Sequence, residues 1–150
     1  MKRWLLMVVA VCLVLGADAP KKDEAAKELD RLQGTWILVS SEANGMKVDA
    51  AELKKTGITL VFKGEKFTVK LSNGDTVGTF KPDPGKKPKA FDTRAADPAG
   101  KTAEGVGIYK LDGDTLTFCF VVGAGKDRPT EFQAATGSEA VLQVFKRDKR

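Results

Sequence analysis

The stretch that most constrains this chain runs from Gly105 to Val122, GVGIYKLDGDTLTFCFVV. Apolar and polar residues alternate on both sides of Asp112 and Gly113. An Asp-Gly pair suits the two central residues of a type I′ turn, where both φ angles are positive and glycine meets no Cβ clash. The stretch therefore reads as one tight antiparallel hairpin. A lone two-stranded ribbon is not stable in water, so other strand patterns in the chain must complete a sheet around it.

Those patterns are present. Asp23 to Gln33, DEAAKELDRLQ, has acids in its first turn, apolar residues Ala25, Ala26, Leu29 and Leu32 on one face, and Gly34 as a stop, so it predicts a short helix. Beyond Gly34 the period changes from helical to alternating. Trp36 to Ser41 reads as a strand turned by Asn44 and Gly45. Asp49 to Lys55 is one helical turn with Asp49 as N-cap. Ile58 to Lys63 and Lys66 to Leu71 flank a tight turn at Gly64 and Glu65, and Asn73-Gly74 leads into Thr76 to Lys81. Pro82 to Pro88 is expected to be an exposed loop, because proline supplies no ladder donor. A strand near Lys89 to Thr93, a polar loop from Thr93 to Thr102, the central hairpin, a glycine-rich loop from Gly123 to Pro129, a short extended piece at Thr130 to Gln133 and a strand from Ala140 to Lys146 complete the pass.

About eight strands joined by short turns, with no helices between them to make parallel crossovers, predict an all-β fold. The expected architecture is a small up-and-down antiparallel barrel with a short N-terminal helix, since closure removes the exposed edges of a twisted meander. Alternation places Ile58, Leu60 and Phe62, then Phe67, Val69 and Leu71, then Leu116, Phe118 and Phe120 inside. Tyr109 and Leu111 face away from Val106 and Ile108, so that strand is apolar on both sides, and its outer face is expected to carry the N-terminal helix.

Lys2 and Arg3 followed by the apolar run Trp4 to Leu15 and then small residues read as a secretory signal over residues 1–19, too short for a comfortable membrane span, with the barrel domain in residues 20–150. Cleavage after Ala19 or Ala17 removes Cys12 and leaves Cys119 alone, so no intramolecular disulfide forms and the core supplies stability. The expected location is extracytoplasmic, periplasmic or secreted, with no membrane span in the mature chain. The net charge of +5 is spread over 25 basic and 20 acidic side chains. The densest basic runs, KKPK at Lys86 to Lys89 and KRDKR at the C-terminus, hold no aromatic between the charges, which argues against a nucleic-acid partner.

The chain contains no histidine. That removes the Ser-His-Asp triad, the Cys-His pair and imidazole ligation, and one remaining cysteine cannot build a zinc site. GAGK at Gly123 to Lys126 lacks the first glycine and the Ser or Thr of a phosphate loop, since Phe120 and Asp127 stand there. Asp92, Glu104 and Glu131 are carboxylates near strand ends whose separation sequence does not give. Asp112 and Asp114 are turn formers. Arg128, fixed by Pro129, either reaches an anionic ligand at a barrel mouth that Glu131 also lines, or pairs with Glu131 or a nearby carboxylate and pins its loop. Cys119 reads as a packed thiol. No catalytic residue, metal ligand or cofactor is assigned, and the chain is not read as an enzyme.

Gly34, Thr35 and Trp36 spell GTW at the entry to the first strand, straight after a short helix, and this resembles the GxW motif of the lipocalins. In that family the tryptophan plugs one barrel end and an arginine beyond the last strand stacks across it; Arg147, or less well Lys146, stands in the matching place. The lipocalins' middle motif has no match here, and neither has their long helix after the barrel. Over nearly the whole mature chain, ELDRLQGTW, LVFKGEKFTV, FKPDPGKKPKAFD, GIYKLDGDTLTFCF, RPTEF and VLQVFKR resemble the uncharacterised lipocalin-like domain family abundant in Planctomycetes. The resemblance implies the barrel build and carries over no activity, ligand or catalytic residue.

Two readings of function stay open. Leu60, Phe62, Phe67, Val69, Phe80, Phe118 and Phe120 either line a cavity for a small hydrophobic ligand, or meet and fill the barrel of a non-catalytic interaction or structural module of the cell envelope, for which an envelope protein is the candidate partner.

Overall fold

The computed structural model describes residues 18–150, with side chains from residue 23 onward. Of the expected secretory segment, residues 1–17 lie outside the described residues, and Asp18 and Ala19 open the first helix. That helix, α1, spans Asp18–Leu32, so it starts five residues earlier than its apolar stripe predicts. Strand β1 (Gly34–Ala43) follows, then a two-residue strand β2 (Met46–Lys47) and helix α2 (Ala50–Thr56). Asp49 caps α2 by accepting a 3.0 Å hydrogen bond from the Ala51 N–H, and Gly57 ends it in the left-handed region. The remaining strands are β3 (Thr59–Lys63), β4 (Lys66–Leu71), β5 (Gly74–Asp83), β6 (Ala90–Ala96), β7 (Thr102–Asp112), β8 (Thr115–Val122) and β9 (Val141–Arg147).

Every neighbouring pair is antiparallel, and β1 pairs with β9 as well as with β3, so eight strands close into a barrel; β2 is a flap that hairpins off β1. A bulge between Leu38 and Ser40 shifts the β1–β9 register by one residue. It turns Ser41 rather than Ser40 to the side of Gln143 in the lumen. No helix among the described residues is long and apolar enough to cross a membrane.

The registers put the expected residues inside. Leu60 opposes Val69, Phe62 opposes Phe67, and Tyr109 opposes Phe118, so each pair shares the lumenal face. One end of the barrel is stopped. Trp36 is fully buried there, its indole N–H donates at 2.8 Å to the Leu32 carbonyl, and the Arg147 guanidinium lies over its ring at 4.2 Å. Arg147 also donates to the Arg31 and Gln33 carbonyls at 2.7 and 2.9 Å and to Asp114 at 3.2 Å. The last carbonyls of α1 thus find their partners in a side chain from the final strand.

Several expectations need correction. Helix α1 does not lie on the outer face of β7. It crosses the stopped end, where Leu29 and Leu32 join the interior cluster and Glu28 meets the inward-facing Tyr109 hydroxyl. The outer face of β7 and β8, with Ile108, Cys119 and Val121, is covered instead by the segment between β8 and β9, through Phe132 and Ala140. That segment includes Thr130 to Gln133, which form no strand. Pro82 lies within β5, opposite Phe91. The N–H of Phe80 points to the β4 side, where it bonds the Glu65 carbonyl, so two residues on the absent N–H of Pro82 also faces that side, beyond the end of the β4–β5 pairing at Thr79. Strand β6 continues to Ala96 and shortens the expected polar loop. The central turn consists of Gly113 and Asp114 instead of Asp112 and Gly113, with only the glycine at positive φ.

Candidate functional site

Phe62, Phe80, Phe91, Tyr109 and Phe118 form the floor of the lumen at its stopped half. The Phe80 and Phe91 rings stack at 4.9 Å, Phe62 meets Phe80 edge-on at 5.2 Å, and Phe91 meets Phe118 edge-on at 5.2 Å. Here the phenylalanines do meet in the middle.

Above that floor the lumen is empty. A cavity of about 310 Å³ opens toward the far end, walled by Leu60, Phe67, Val69, Ala95, Phe120 and Phe145 and reaching the rim at Thr76, Ala103 and Val122. All seven residues expected to line a lumen, Leu60, Phe62, Phe67, Val69, Phe80, Phe118 and Phe120, do line it. The empty half owes its space to small inward residues. Gly78 and Gly105 sit where larger side chains would intrude, and a Cβ on Gly105 would stand 2.6 Å from the Thr93 hydroxyl. At the rim, Asp97 accepts from the Ala99 and Lys101 N–H groups at 3.0 and 2.9 Å, which ties the β6–β7 loop into a closed turn. Its neighbour Pro98 packs against Gly74 at the start of β5.

The polar lining is sparse: Thr93 and Gln143 on the walls, and Thr76, Asp97, Lys101 and Glu104 at the rim. Among the described residues no group of three or more His, Cys, Asp and Glu is placed to hold a metal ion. No family model matches the chain, and no curated protein matches it. The chemistry of the cavity therefore carries the functional reading.

Arg128 and Glu131 are not at the mouth. Arg128 sits on the outer face of the barrel, donating to the Phe91 and Gly107 carbonyls at 2.6 and 2.9 Å and pairing with Asp92 at 2.7 Å. It pins the covering segment to β6 and β7, the structural role weighed from sequence, with Asp92 as partner rather than Glu131. Glu131 is exposed and accepts from the Gln133 amide at 2.9 Å. Asp92 is occupied by Arg128, so it does not join Glu104 or Glu131 across the mouth. Lys126 of the GAGK loop pairs with Glu139.

Cys119 is fully buried on the outer face and its thiol donates to the Gln133 carbonyl at 3.4 Å; burial raises its pKa and keeps it a thiol. Asp114, besides shaping its turn, is held below the ordinary carboxylate range by Lys149 and then by Arg147.

Three groups escaped the sequence reading. Ala95 follows Phe91 and Thr93 in an inward alternation, a signal cut short by ending the strand at Thr93. Gln143 is the polar member of the inward row Val141, Gln143, Phe145. Glu28 is buried between Lys89, at 2.7 Å, and the Tyr109 hydroxyl, at 2.8 Å, and only the fold brings these three together.

Proposed function

We propose that the chain is a non-catalytic, extracytoplasmic barrel of the lipocalin-like kind that carries a small hydrophobic ligand in its lumen. The observation that supports this best is the empty, apolar half of the barrel above a fully packed aromatic floor. Protein interiors are close-packed, and an apolar chamber of this size open at one end leaves its walls to water, a cost that an apolar ligand would relieve. The volume is at the small end of ordinary ligand pockets. The GTW entry and the Arg147 guanidinium over Trp36 support the family resemblance, and the signal-like N-terminus supports the location.

A second reading has its own support. The rings of the floor pack the stopped end of the lumen solid, as they would in a module that meets its partners on the outside. An environment-sensitive apolar dye separates the two. Under the carrier reading the mature domain takes up the dye saturably near one per chain, and Ala95→Phe, which fills the cavity, abolishes uptake. Absence of saturable uptake by the unaltered domain sinks it. Mass spectrometry of the organic extract of native protein then identifies the cargo.

A further inference from the structure

We propose that the cavity selects a neutral amphiphile: an apolar body bearing one uncharged hydrogen-bonding group, such as an alcohol, ketone or amide, which Gln143 recognises. This rests on the carrier reading above.

Gln143 opposes Phe118 on β8 and Ser41 on β1, which fixes it on the lumenal face, and its side chain lines the cavity. A carboxamide offers one acceptor and two donors. Among the described residues Gln143 makes no side-chain hydrogen bond, although Phe118, Phe120 and Phe145 surround it on the lining. The Thr93 hydroxyl on the opposite wall is nearly as free, since its one contact is a 3.5 Å approach to the Gly105 carbonyl, long for a hydroxyl hydrogen bond. Both side chains are half-buried on the lining, so a wholly apolar ligand seated there would take water from them without replacing it, and Leu or Phe at position 143 would extend the inward row of Val141 and Phe145. A polar group on the ligand would satisfy what the protein leaves open.

The charge distribution excludes an ionised group in the chamber. No Lys, Arg, Asp or Glu lies on the walls between floor and rim; the charged lining residues are Asp97, Lys101 and Glu104 at the rim. An anion carried inside would be buried without a partner, and at the rim it would meet Asp97 beside Lys101, while Glu104 shares the outer face with Arg94. A cation would find no acid on the walls. The lumen from Phe118 to Val122 covers roughly 13 Å along β8 at the usual rise per strand residue, which suits a ten-carbon chain.

The experiment is displacement of the apolar dye from the mature domain at pH 7.5 by 1-decanol, decanoate and decylamine. The proposal expects decanol to displace at a concentration at least ten-fold below either charged probe. It also expects Gln143→Leu to lower the ratio of decanol affinity to dye affinity about five-fold, the worth of one neutral hydrogen bond. Should that variant be unstable, Gln143→Met, of similar length and without the amide, is read the same way. Decanoate or decylamine binding as well as decanol, or an unchanged ratio in the variants, overturns the proposal while leaving the carrier reading intact. Failure of the dye to bind overturns both.

Discussion

Glu28 is the buried carboxylate among the described residues, and its neighbours decide what it does. Burial alone would raise its pKa; hydrogen bonds from Lys89 and Tyr109 and the charges of Lys89 and Arg31 outweigh that and hold it below its ordinary 4.5. The Tyr109 hydroxyl is in turn pushed up, by burial first and by Glu28 second, and stays a donor at any ordinary pH. Because the folded form binds the Glu28 proton more weakly than the unfolded form, the resulting stability is complete above pH 4.5. It is lost as pH falls through the depressed folded value. Glu28→Gln is expected to destabilise the domain by about 1–2 kcal/mol at pH 7, a modest figure because Lys89 and Arg31 are solvated. Urea midpoints of the two proteins should converge as pH drops below about 4.5. A gap that persists unchanged at pH 2 would show that Glu28 acts by packing and not by charge. Nothing in DEAAKELDRLQ marks Glu28 apart from Glu24 or Asp30, since its partners come from sequence positions 61 and 81 residues away.

At the scale of elements, the strands were legible and their exact partners were not. The Asp112-Gly113 pair announces the central hairpin, yet a turn on those two residues would set Leu111 against Asp114. The observed register moves the turn one residue on, sets Leu111 against Leu116 and Tyr109 against Phe118, and leaves Gly113 as the first central residue at φ 59°. Cross-strand apolar pairs outweigh the local preference for a type I′ turn, and the sign pattern becomes that of type II′. Both registers keep the same residues inside, which is why the interior was readable while the turn was not. The N-terminal helix shows the opposite case: its apolar stripe predicts burial but not against what. It is held at the stopped end by Trp36, by Arg147 and by Gln33, whose amide exchanges hydrogen bonds with Gly64 in the β3–β4 turn. Arg147→Ala removes the cation from the indole and leaves the Arg31 and Gln33 carbonyls, at the end of α1, without their partner. An expected loss of about 2–3 kcal/mol follows. Hydrogen exchange should quicken first in α1 and at the Trp36 indole while β7 and β8 remain protected. Uniform acceleration across the barrel would mean that α1 and the barrel open together.

For the whole molecule the issue is how a closed barrel keeps half of its lumen unfilled. Closure of β1 on β9 satisfies both edges, the outer wall is sealed by Arg128 and the packed Cys119 face, and the stopped end is bolted through Trp36. With stability supplied at those three places, the upper lumen does not need to be filled. From sequence the seven lining residues could be named, because alternation fixes faces; whether they touched could not, because that depends on Gly78, Gly105 and Ala95, whose small size matters only once the barrel is closed. Under the proposed carrier role these small residues set stability against binding, and the trade-off can be measured. Ala95→Phe projects a ring into the empty half, over Gly78, and buries it against Val69 and Phe120. The expected result is a gain of about 0.5–2 kcal/mol over the unliganded parent, which for a domain of this size raises the thermal midpoint by a few degrees. Saturating apolar dye should raise the parent's midpoint by linkage, about 2.7 kcal/mol at a hundred times its dissociation constant, and leave the variant's unmoved. If Ala95→Phe instead destabilises the domain as strongly as overpacking a filled core does, about 1–3 kcal/mol, the lumen has no room to give and the barrel is a solid module.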